Sequence, residues 1–199
     1  MITECGVDPT RLHILYKAPP SEVLEWDDTS IVGMQRWLAK VLKLSQSTPK
    51  NTNALPLIKN MTKDEKELYR MTHQTIMQVT ENMTRTYSFN TVISDLIKLS
   101  NAISSSTAPA DSPVYYHAVQ SLVKMMAPMA PAMSEECWEY VGTNKESVLQ
   151  QTWPSFEPAA LEKDEITCVI QASYSYGYKI TLLTKSIGQW KDKIYHDSL

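Results

Sequence analysis

Apolar residues recur along most of this chain at the three-to-four-residue spacing that lines one face of a helix. Ile31, Met34, Trp37, Leu38, Val41 and Leu42 make the first stripe, and Asp27 or Asp28 can cap a helix running to about Ser45. After a Ser/Thr/Asn/Pro loop, Thr62 and Glu65 have the spacing of a capping box, in which side chains and backbone donors satisfy one another. The second helix is predicted to bury Leu68, Met71, Thr72, Ile76, Val79 and Met83. The pattern restarts near residues 88–90, giving a third helix with Val92, Ile93, Leu96, Ile97 and Ile103 inside, ended by the loop S-S-S-T-A-P-A-D-S-P. A fourth spans about Val114 to Met126.

That fourth helix meets Pro128 and Pro131, which lack an N–H and clash with a preceding helical turn. Pro131 can instead open a new helix, with Glu135 and Glu136 in its first turns, toward the positive end of its dipole. The reading is helix, corner, helix, with the fifth helix ending near Val141. Amphipathic helices joined by loops make a bundle, expected over residues 28–142. Beyond Gly142 the character changes. Residues 143–165 form a polar, proline-containing linker, Ile166 to Gln171 and Tyr178 to Leu183 suit two short strands, and Lys185 to His196 suits a last helix.

Composition agrees with this mainly α reading. Hydrophobic residues make up 43% of the chain, enough for a core, and five glycines argue against an all-β fold crowded with tight turns. The longest apolar stretch, Val123 to Met133, is broken by Lys124 and two prolines and falls short of the ~20 residues that span a bilayer. The N-terminus lacks an Arg-rich amphipathic presequence. Cys5, Cys137 and Cys168 are far apart, which suits free thiols in a reducing compartment, and Cys137 falls on a core face. No metal site is expected, because His13, His73, His117 and His196 have no paired ligand spacing.

Charge sharpens the picture. The net charge of −3 predicts no bulk attraction to nucleic acid. Locally, Arg36, Lys40 and Lys43 share one face of the first helix, with no acid between Ile31 and Gln46. Lys63, Lys66, Arg70 and His73 share a polar face of the second, diluted by Glu81. Each stripe suits a solvated surface; cationic side chains arranged this way can also track RNA phosphates without reading bases. Trp37 and Trp138 fall on buried stripes, Trp26 and Trp153 at domain edges, and Tyr174, Tyr176 and Tyr178 point one way if their segment is a strand.

Several passages resemble one family. Gly6 to Trp26, G-V-D-P-T-R-L-H-I-L-Y-K-A-P-P-S-E-V-L-E-W, is similar to a passage of bacterial and mitochondrial leucyl-tRNA synthetases, matching at Asp8, Arg11, Leu12, Leu15, Ala18, Pro19, Pro20, Leu24, Glu25 and Trp26. Met126 to Trp138 resembles the A-P-x-A-P-H-x-x-E-E-x-W signature of class I synthetases, with Ala132 in place of the family's His. Tyr87 to Ile97 and Leu149 to Pro154 resemble two further blocks, in family order. Lys17 and Val23 depart from the pattern, and S-Y-S-Y-G replaces an expected N-G-K turn near Gln171.

The resemblance implies an anticodon-binding-type helical bundle followed by a partial small α/β appendage over residues 166–199, with residues 1–27 a junction from a catalytic domain. The family's H-I-G-H and K-M-S-K-S motifs and its editing domain do not occur here, so the chain is expected to be a C-terminal piece without catalytic residues. The whole enzyme would ligate leucine to tRNA(Leu) with ATP and Mg, neither held by this chain. The implied partners are tRNA(Leu) and the parent catalytic domain, with no membrane and no DNA. The expected tRNA-binding residues are Arg36, Lys40, Lys43, Lys63, Lys66, Arg70 and His73. The segment L-S-N-A-I-S at Leu99 to Ser104 resembles animal mitochondrial members, implying the mitochondrial matrix, with the cytoplasm as the alternative. The alternative function is a stand-alone, non-catalytic module that binds tRNA or a protein.

Overall fold

Local signals set most of the helices in the computed structural model, which describes residues 2–17, 28–51, 53–162, 165–171 and 177–183. A short helix α1 (Ile2–Cys5) leads into α2 (Val7–Lys17), and α3 (Asp28–Ser47) follows. In α3 the stripe Ile31, Met34, Trp37, Leu38 and Val41 is buried, as its spacing requires. The Trp37 indole N–H donates to Ser100 Oγ at 3.0 Å, so the ring's polar edge is satisfied within the core.

Helix α4 (Lys63–Glu81) begins at a complete capping box: Thr62 accepts from the Glu65 N–H, and the Glu65 carboxylate accepts from the Thr62 N–H at 2.9 Å. It ends in a π-helical turn over Asn82–Thr86, after which α5 (Phe89–Ser105) starts. Helix α6 (Pro113–Met126) has Ser112 as its cap, accepting from the Tyr115 N–H at 3.1 Å, and Pro113 in its first turn, where a missing N–H costs nothing. Helix α7 (Pro131–Val141) opens on Pro131.

Helix α4 packs on α5 and α6, α3 on α7 and α2, and α2 on α5. The shared core includes Leu12, Leu38, Ile76, Ile93, Leu96, Leu122 and Met126, all buried. Cys137 is buried as its helical position predicted, and burial pushes its thiol up to about 11. A smaller cluster joins Met61, Tyr69, Val114 and Ala160.

The first compact unit, Met1–Ala160, is wider than the 28–142 bundle expected from periodicity. Leu12 of α2 is in the core, so this part of the junction packs with the bundle. Val148 is buried and Trp153 packs on the core, so residues 143–160 run along the unit and do not form a free linker. The second unit, Leu161–Leu199, contains the antiparallel pair β1 (Glu165–Gln171) and β2 (Gly177–Leu183), with Glu165 opposite Leu183 and Gln171 opposite Gly177. These are the two strands the sequence predicts. The expected last helix, Trp26, Tyr174, Tyr176 and the A-P-P and L-E-W matches lie outside the described residues. Among the described residues no helix is long and apolar enough to cross a membrane.

Two side chains of α2 tie the start of the unit to the α6–α7 corner. Asp8, buried on α2, accepts the Met133 N–H at 2.7 Å. Ala130, at the N-cap of α7, supplies no side-chain cap, so Asp8 fills that role from another helix. Arg11 donates from Nε to the Met129 carbonyl at 2.9 Å and from Nη2 to the Pro128 carbonyl at 3.0 Å. One turn of α2 thus satisfies one donor of the proline corner, the Met133 N–H, and two of its acceptors, the Met129 and Pro128 carbonyls.

Candidate nucleic-acid interface

The buried stripe of α3 turns Arg36 and Lys43 outward, and both are exposed. Lys40, between them on the same face, is half-buried and donates from Nζ to Asn101 Oδ1 at 2.6 Å. Among the described residues no carboxylate pairs with Arg36 or Lys43. Exposed cations on one helix face can follow a phosphate backbone.

The α4 residues do not form a comparable face. Lys63 is exposed but lies beside Asp64 and Glu65, the acids of the first turn. Lys66 is half-buried. Arg70 is paired with Glu67 at 2.5 Å, and its Nη1 donates to Gln74 Oε1 at 3.1 Å, so its guanidinium is already engaged.

His73 corrects the sequence reading outright, since it is 3% exposed and turned into the unit. Its ring stacks on His117 of α6 with centroids 5.4 Å apart, and Tyr69 meets it edge-on at 4.2 Å. Its Nδ1 accepts the Glu157 N–H at 3.0 Å, while the Tyr69 hydroxyl donates to the Glu157 carboxylate at 2.7 Å. Farther along α4, the Trp153 indole N–H donates to Thr80 Oγ1 at 2.9 Å. His73 is therefore part of a clasp that holds the 153–157 segment against α4, and cannot meet a phosphate.

Burial lowers the affinity of both histidines for a proton. His73 is lowered by desolvation, against an opposing pull from Glu157. His117 is pushed down to about 4, first by burial, then by His73 and Lys124. Both rings are neutral near pH 7. The pairing is invisible to sequence spacing because the two histidines sit on different helices. The available signal is that His73 stands one turn after Tyr69 at the edge of the Leu68/Thr72/Ile76 stripe.

This helical bundle, with its proline corner held by Asp8 and Arg11, is a domain of the anticodon-binding type. The family described as "Anticodon-binding domain of tRNA ligase" matches residues 65–193, and the chain belongs to it. Within that family its relatives are leucine–tRNA ligases. The enzyme of Trichormus variabilis is 45% identical over 179 residues, covering 87% of this chain and 20% of the relative. That of Nostoc sp. is equally similar, and that of a Synechococcus is 38% identical over 191 residues, covering 87% of this chain and 21% of the relative. The chain thus spans about a fifth of the length of the curated relatives it matches. A crystal structure of a leucyl-tRNA synthetase (LeuRS) from Agrobacterium radiobacter K84, in a ternary complex with tRNA and LeuAMS, shares the fold. Its TM-score is 0.78 at 21% identity, over 97% of this chain and 25% of that one.

Proposed function

We propose that the 1–160 unit holds the body of a tRNA through phosphate contacts from the α3 face, as part of an enzyme that ligates leucine to tRNA(Leu). The observation that carries this is the face of Arg36, Lys40 and Lys43, with no acid between Ile31 and Gln46 and with Arg36 and Lys43 exposed and without a carboxylate partner among the described residues. Support comes from the fold shared with a synthetase whose crystal structure contains tRNA. In the whole enzyme, ATP and Mg would serve a catalytic domain, which is the proposed protein partner. The leucyl-adenylate chemistry would take place there and not on this chain. Translation in mitochondria is the proposed setting, supported by the resemblance of Leu99 to Ser104, whereas the relatives reported above are bacterial.

Titration with tRNA(Leu) and with an unrelated tRNA, at low and moderate salt, tests the reading. Substituting Arg36→Ala and Lys43→Ala together is expected to weaken binding of both RNAs and to reduce the slope of log K against log salt by about one to two. Binding that ignores both salt and this double substitution overturns it. The second reading, a stand-alone RNA-binding module, is favoured by the 1–160 unit having its own continuous core. It requires the chain to be a monomer that unfolds cooperatively and binds tRNA unaided.

A further inference from the structure

Helix α4 ends in an unusual way. Its last turn widens into the π-helical turn of Asn82–Thr86, and the chain leaves through Tyr87 at φ 51°. Among the described residues Tyr87 is the one non-glycine with positive φ. For a bulky aromatic side chain this backbone region is strained, and glycine or asparagine would occupy it more readily.

The turn is nevertheless tightly built. The Thr84 hydroxyl donates to the Thr80 carbonyl at 2.7 Å, and the Thr86 hydroxyl to Asn82 Oδ1 at 3.1 Å. The N–H groups of Tyr87 and Ser88 both donate to the Asn82 carbonyl, and Met83 packs on the core. All this holds an aromatic ring in solvent, since Tyr87 is 59% exposed. Arg85, two residues before it, has its side chain 79% exposed and makes a long, exposed ion pair with Glu81 at 3.8 Å, one that costs little to exchange for a phosphate. An apolar protein partner would need further exposed hydrophobic side chains next to the ring. The exposed neighbours are Thr84, Arg85 and Thr86, a polar and cationic set.

We propose that the 82–87 turn is a nucleobase-stacking site: Tyr87 presents its ring to an unpaired base of a folded RNA, and Arg85 neutralises an adjoining phosphate. This rests on the tRNA-holding reading above and adds to it a contact with a base. Every base has a π-face, so the site would tolerate different bases in place of reading one.

Tyr87→Gly separates a binding role from a structural one. Glycine relieves the φ strain, so the variant's thermal midpoint should stay level or rise. Its affinity for tRNA(Leu) should fall about tenfold or more. Tyr87→Leu, apolar but without a flat ring, should lose as much, while Tyr87→Phe should stay within about twofold of the parent. If the Gly and Leu variants of the 199-residue chain bind tRNA like the parent while the Arg36/Lys43 double substitution weakens it, the stacking site is wrong and the α3 reading stands. If the parent chain binds no tRNA at low salt, both fall.

Discussion

Asp8 and Met133, separated by 125 positions, meet at 2.7 Å, carboxylate oxygen to backbone N–H. With Arg11 on the Met129 and Pro128 carbonyls, this makes one turn of α2 the cap of a corner built from the far half of the chain. The two passages that most resemble the leucyl-tRNA synthetases are thus the two faces of one joint. Asp8→Ala leaves a helix-start N–H without its acceptor and should cost about 1–2 kcal/mol in urea unfolding. Asp8→Asn keeps an acceptor oxygen and should cost less. A double cycle with Arg11→Ala should show coupling, since both act on one corner.

Stability should fall on acidification between pH 6.5 and about 4. His117 has its ordinary value of 6.5 when unfolded and about 4 when folded, so within that window the unfolded chain binds the extra proton and acid favours it. The loss on reaching pH 4 is on the order of 3 kcal/mol, with His73 acting in the same direction. Carboxylates titrate too, so the diagnostic quantity is the difference from His117→Phe, whose unfolding midpoint should change less across this window.

His73→Ala should destabilise the unit by about 1–3 kcal/mol, because the Glu157 N–H loses its acceptor and the His117 ring loses its stacking partner. Limited proteolysis should then cut within residues 153–160. The salt slope of tRNA binding should not move, in contrast to the Arg36/Lys43 substitution. A changed slope would return His73 to the RNA surface.

Two glycines should respond in opposite senses to alanine. A β-carbon at Gly142 would lie 2.6 Å from the Trp138 carbonyl oxygen and 2.7 Å from its indole nitrogen. The constraint is space and not conformation, because φ is −68° there. Gly142→Ala should therefore cost about 1–3 kcal/mol. Gly33, inside α3, has nothing within 4 Å of such a carbon, so Gly33→Ala should stabilise by about 0.5–1 kcal/mol. Thermal unfolding of both variants checks the pair.

The helices are legible in the sequence because each has a local cause: the Thr62/Glu65 box, Pro113 and Pro131 at helix starts, and apolar stripes of helical period. The strand pair is legible from its short apolar runs. The contribution of residues 2–17 to the core is not, since α2 is only weakly amphipathic and Leu12 is buried by what packs over it from elsewhere in the chain. The candidate interface was half legible. Arg36 and Lys43 are exposed because the stripe behind them is strong. Glu67, three residues before Arg70, was available as a local partner in the sequence, but the burial of His73 depends on a segment more than eighty residues later. Nothing local announces the π-helical turn that lifts Tyr87 into solvent.

The Asp8–Met133 joint also sets a schedule for synthesis. At roughly 5–20 residues per second, Asp8 is added to the chain about 6–25 seconds before the Met133 whose N–H it accepts. During that interval Leu12 has only part of its eventual cover, and the Asp8 carboxylate and Arg11 guanidinium have no corner to hold. Folding of the unit can be completed only when α7 emerges, so α2, made well before it, is among the last helices to lock, and a chaperone met during translation would find it open.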